Sequence, residues 1–200
     1  MYKKNFFFFF LLILLNFIFI NSSFATQPYL FVQETTDKAS EALNKRQSKE
    51  EKMKILKIIA KETVDIKGIG YYSLGAYRKN ISNQEKIQYF IIFEKYFLKS
   101  FSSRLAEYTN PRIRVDSQKK LNDKYTMVSS TLLATDKKPE IKINWRVVTK
   151  NPDNPLIIDL IIEGVSLAKI QKEEFSSILQ NNDNDINALF NNLREFVEKE

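Results

Sequence analysis

Ser82-Asn83-Gln84-Glu85 forms a capping box, and behind it Phe90, Phe93, Phe97, Phe101, Leu105 and Tyr108 recur at helical spacing. No other feature of the chain limits its fold so sharply. A helix face this nearly continuous in aromatic rings needs cover, because fully burying one such side chain gains roughly 1.5–3 kcal/mol. Ile87, Ile91 and Leu98 widen the face. The pattern therefore predicts a deeply buried helix and requires the rest of the chain to supply a broad apolar partner.

The partner is readable in chain order. Residues 28–108 read as helical, residues 112–167 as strands and residues 169–200 as helical again, a segregated α+β arrangement. Pro28 suits a first helical turn, the polar run 44–52 a joint between helices, and Ile55, Ile58, Ile59 and Ile66 follow at helical spacing. Ile141, Ile143, Trp145 and Val147 then alternate with Glu140, Lys142, Asn144 and Arg146, as in a half-buried antiparallel strand. Asn151-Pro152-Asp153-Asn154-Pro155 forces a turn into a second run, with Leu156, Ile158, Leu160 and Ile162 on one face and Ile157, Asp159, Ile161 and Glu163 on the other. These two runs predict a hairpin, and residues 125–133 and 112–115 predict two further strands. The expected architecture is a curved, roughly four-stranded antiparallel sheet with helices against its apolar face, a half-open cone. Whether side chains fill the cone or leave an apolar cavity is not decided by pattern.

Residues 1–25 stand apart. Lys3 and Lys4, an apolar core over residues 6–20 and the small-x-small ending Ser23-Phe24-Ala25 are the three parts of a cleaved secretory signal, leaving residues 26–200 as a single domain. The core is shorter than the roughly 20 residues a permanent bilayer span needs. No Cys follows it for lipid attachment. Cleavage would remove two lysines from a net charge of +7, and the remaining excess is spread as single Lys residues with small clusters at Lys119-Lys120 and Lys137-Lys138. A plain solvated surface is the default reading of this pattern; its functional alternative is approach to anionic lipid or an acidic partner, and nucleic acid is not expected for an exported chain.

The chain has no His and no Cys, which removes Ser-His-Asp and Cys-His catalysis, thiolate zinc sites, iron–sulfur clusters and disulfides. Gly164-Val165-Ser166-Leu167-Ala168 has the strand-to-helix context of a nucleophile elbow, but Ala closes the motif and no His exists to take the serine proton. Gly164 is better read as a tight turn and Ser166 as a cap. Asp65, Asp159 and Glu163 are carboxylates among apolar neighbours; they suit pairing with Arg78 or Arg146 better than glycosidase work. Gly68-Ile69-Gly70 lacks the third glycine and the preceding strand of a dinucleotide loop. The composition predicts no catalytic residue, metal or cofactor.

Two blocks of residues carry a resemblance. The first is Val64-Asp65-Ile66 followed by Leu74-Gly75-Ala76-Tyr77-Arg78, then Gln84, Phe90, Phe93 and Tyr108; the second is Asp159, Glu163-Gly164-Val165-Ser166-Leu167 and Phe175. Together they resemble the periplasmic phospholipid-binding proteins of the MlaC type, also called toluene-tolerance auxiliary proteins, over essentially the whole chain after the leader. The chain departs at Pro155-Leu156, where the family often has Trp, at Lys172, where it usually has Arg, and in residues 181–185, which lack a common Gly.

The resemblance implies a fold like nuclear transport factor two and a non-enzymatic, soluble phospholipid shuttle in the periplasm. Its expected partners are an outer-membrane lipoprotein complex and an inner-membrane ABC transporter, and its role is to maintain outer-membrane lipid asymmetry. A monomer is the expected state. The competing readings are an envelope interaction module that binds no lipid and a carboxylate-based hydrolase. Candidates for the cavity wall are Ile66, Ile69, Leu74, Phe90, Phe93, Phe97, Phe101, Ile143, Trp145, Ile158 and Leu160. Gly68, Gly70 and Gly75 form a candidate hinge, because each costs a helix roughly 1 kcal/mol relative to Ala; the equal alternative is that they only allow close helix packing or a turn.

Overall fold

The computed structural model describes residues 28–136 and 139–199; the leader read in residues 1–25 and the Lys137-Lys138 cluster lie outside them. Helix α1 spans Pro28–Asn44, and α2 spans Lys49–Thr63 behind a capping box made by Ser48 and Glu51. Val64 is extended and forms a parallel bridge with Ile157, so the chain leaves its helical course there to touch the sheet. Asp65 restarts it as α3, Ile66–Ser73, accepting from the Gly68 amide at 2.8 Å. After a 3₁₀ turn over Gly75–Lys79, Ser82 and Glu85 close the expected capping box on α4, Asn83–Leu105. The two hydrogen bonds at Ser82 hold the Glu85 carboxyl below its usual pKa.

The sheet is an antiparallel meander, β1 Ile113–Lys120, β2 Tyr125–Leu132, β3 Ile141–Val148, β4 Leu156–Ile162 and β5 Val165–Ser166, in that spatial order. It has one strand more than the four expected, the fifth being two residues long. Strand β1 also runs five residues beyond the predicted 112–115. Its second half is exposed and polar, as befits an edge strand, and so lacks the alternation by which strands are recognised. Glu163 and Gly164, both at positive φ (48° and 84°), make the two-residue turn between β4 and β5. Helices α5, Leu167–Gln180, and α6, Ile186–Glu198, complete the chain.

One irregularity reassigns a face. Arg146 stands opposite Asp159 and Val147 opposite Ile157, which leaves Ile158 as the extra residue of a β-bulge. Strict alternation put Ile158 with Leu160; instead Ile157 joins Leu160 in the core. Ile87 and Ile91 are also corrected. They are 64% and 56% exposed, so α4 is not buried around the wide arc expected of it.

The core comes in two parts. The larger joins α2, α3, α4, α5 and α6 to Ile157, around Tyr89, Phe93, Phe175 and Phe190. The smaller consists of Val32, Val115, Val128 and Val147, from α1 and the first three strands. Helix α1 lies closely on β1, and α5 on β4, but no helix backbone approaches the central strand β3 comparably.

Candidate functional site

The inner side of α4 is sealed. Tyr89 and Phe93 are 0% and 1% exposed, and their rings stack at 5.5 Å. Phe175 meets both edge-on, with ring centroids 6.5 and 6.1 Å away. The Tyr89 hydroxyl donates to the Gly70 carbonyl at 3.0 Å, and burial pushes its pKa well above the usual value. Burial likewise raises Tyr96, whose hydroxyl donates to Gln171 Oε1 at 3.1 Å. Gly70 is required here, because a Cβ would stand 2.8 Å from Phe93 Cδ1.

One flank of the same helix is different. Phe90, Phe97 and Phe101 fall on one line of α4, and all three are only partly buried. Phe97 and Phe101 stack with centroids 5.8 Å apart and planes 8° from parallel. In the sheet, Trp145 and Leu160, directly paired on β3 and β4, are likewise partly buried against the larger core. Trp145 and Phe31 pack against both core parts and mark the seam between them. The Trp145 indole donates to Ser130 Oγ at 2.8 Å, so its polar atom is satisfied within the sheet. On the central strand β3, Val147 is fully buried. Ile143 and Trp145 remain partly exposed.

The sequence candidates therefore separate. Ile69, Leu74 and Phe93 are buried in the larger core, whereas Ile66, Phe90, Phe97, Phe101, Trp145 and Leu160 are partly buried against it. Ile143 and Ile158 are partly buried and belong to neither core part. Sequence reasoning missed Phe31, Tyr89 and Tyr96. The two tyrosines stand one turn either side of Phe93, a signal hidden by following only the Phe series. Gly68 faces the Asp65 carboxylate and Gly75 takes φ +56°, so all three candidate hinge glycines meet a local steric demand.

The polar candidates are structurally engaged. Asp159 is buried, accepts from Ser166 Oγ at 2.7 Å and from the Ala168 amide at 3.1 Å, and lies 3.5 Å from Arg146. Ser166 in turn caps α5 by accepting from the Lys169 amide. Glu163 accepts from the Lys142 amide at 2.5 Å. Among the described residues no acidic cluster is arranged to hold a metal, and no helix is long and apolar enough to cross a membrane. Two polar grooves of about 510 and 270 Å³ lie around the α5–α6 turn, the first lined by residues such as Asn181 and Asn182, the second by residues such as Asn80 and Asn184 and both by Asp185, and share no residue with the aromatic flank.

Against known proteins, residues 33–195 match the family model described as MlaC protein. A stretch of 103 residues is 27% identical to the intermembrane phospholipid transport system binding protein MlaC of Haemophilus influenzae, taking in 49% of this chain and 48% of that one. The chain thus spans about half the length of that curated relative. A phospholipid-binding protein from Ralstonia solanacearum, solved in complex with a phospholipid, shares the fold with a TM-score of 0.72 over 86% of this chain and 97% of that chain, at 15% identity.

Proposed function

This chain belongs to the MlaC family, and from that premise we propose that it is a non-enzymatic carrier that holds glycerophospholipid by its acyl chains in the seam between the two core parts. The split core carries this reading. Phe97, Phe101, Trp145, Leu160 and Phe31 are large apolar groups that pack against the core and remain only partly buried. Each acyl methylene buried against them gains roughly 0.8 kcal/mol, so two chains give ample affinity while the headgroup stays hydrated at the mouth. The leader pattern in residues 1–25 supports export to the periplasm. There the protein receives and delivers lipid between an outer-membrane lipoprotein complex and an inner-membrane ABC transporter. With no nucleotide-binding motif in the chain, those partners set the direction. The hydrolase reading loses its groups, since Asp159 and Ser166 are spent on each other and on the start of α5.

The test is mass spectrometry of solvent extracts from protein purified without detergent. Stoichiometric glycerophospholipid is expected. Empty protein that also fails to take up labelled phospholipid would instead support an interaction module that binds no lipid.

A further inference from the structure

The partly buried line on α4 does not end inside the protein. Phe97 and Phe101 pack against the larger core, but Phe90, two turns before Phe97, reaches the surface, where Tyr71 of α3 meets its ring at 4.9 Å and the Lys67 ammonium lies 5.6 Å above it. Beside Phe90 stand Ile87 and Ile91, one turn apart and the two exposed large hydrophobic residues of α4. Tyr71 and Tyr72 are exposed as well. This apolar patch is ringed by cations. Lys86 lies one turn before Phe90 and Lys95 one turn after Ile91, and no carboxylate among the described residues pairs with Lys67, Lys86 or Lys95. The nearby acids are committed, Glu85 to the Ser82 cap and Glu94 to Lys61 at 2.8 Å.

We propose that this face of α3 and α4 docks on the interface of an anionic phospholipid bilayer, with Ile87 and Ile91 entering the headgroup layer and the lysines meeting lipid phosphate. Apolar residues flanked by Tyr and Lys are the composition that settles at a membrane surface. Neither polar groove shares a residue with the patch. The inference rests on the carrier reading and deepens it. From Phe90 to Phe101 the aromatic line runs about 16 Å along the helix, which makes it a path for an acyl chain from the bilayer to the seam.

The experiment is flotation of the intact protein with vesicles of phosphatidylcholine, with and without phosphatidylglycerol. Binding is expected on the anionic vesicles and should weaken with salt. Ile87→Asp combined with Ile91→Asp should lower it roughly tenfold or more, and Lys86→Gln by about fivefold. Phospholipid co-purifying with each variant, and its circular dichroism, should match the wild type, because none of these residues belongs to the seam. Variants that float like the wild type would overturn the proposal. So would wild-type protein that carries lipid yet ignores anionic vesicles, which would mark the patch as a protein-binding surface. Wild-type protein that carries no lipid would count against the carrier reading itself, whatever its behaviour on vesicles.

Discussion

Phe93 and Phe97 are one helical turn apart on α4, with ring centroids 6.1 Å apart, yet they should answer truncation differently. Phe93 is 1% exposed and enclosed by Tyr89, Tyr96 and Phe175. Phe93→Ala removes a fully packed ring and should cost about 3–5 kcal/mol of stability, a fall in Tm of roughly 6–20 °C for a domain of this size. Phe97 packs between the rings of Phe93 and Phe101 and is only partly buried. Phe97→Ala should therefore cost the lipid-free protein only about 1–2 kcal/mol. The surface it loses is the surface offered to an acyl chain, so phospholipid affinity should drop by roughly 5–30-fold. Thermal unfolding of delipidated protein gives the first quantity, and displacement of a fluorescent phospholipid the second. If Phe97→Ala destabilised the empty protein as much as Phe93→Ala, the seam would be ordinary core and the reasoning would fail.

Three further outcomes follow from the geometry. Ser166→Ala removes both the α5 cap and a hydrogen bond to buried Asp159, and should cost about 1–3 kcal/mol in chemical denaturation without abolishing lipid binding. Gly70→Ala forces a Cβ to within 2.8 Å of Phe93 and should destabilise by about 1–3 kcal/mol, whereas Gly164→Ala meets no neighbour and suffers only from its positive φ. Asp116 is held below its usual pKa by the hydrogen bond from Arg114 and then by that from Thr131. The stability it contributes is thus complete above the unfolded value near 3.8 and lost as pH falls through the lowered folded value, so Asp116→Asn should flatten the acid limb of the stability curve.

Much of this fold can be read from residue type and period because those signals are local. The Ser82 capping box, the helical spacing of the aromatic residues and the forced turn at residues 151–155 each specify their own geometry. What escapes is set by tertiary context. The bulge at Ile158 depends on how β3 and β4 register, and nothing in an unbroken apolar run announces it. The exposure of Ile87 and Ile91 depends on where α2 and α3 stop covering α4. Trp145 could be assigned to a sheet face from alternation, but its place between two core parts appears only once Phe31 and the valines of α1, β1 and β2 are in position. A candidate wall could thus be written from sequence, while the division between its sealed and open residues could not.

Trp145 is the single tryptophan of the chain and lies in the seam, so its fluorescence reports directly on what fills that space. The decisive measurement is quenching of Trp145 in delipidated protein by phospholipid brominated along its acyl chains, compared with the same lipid unbrominated. Strong, saturable quenching by the brominated lipid alone places acyl chains against the indole, as the carrier account requires. Saturable binding of the brominated lipid with Trp145 left unquenched would put the lipid elsewhere on the protein and contradict it.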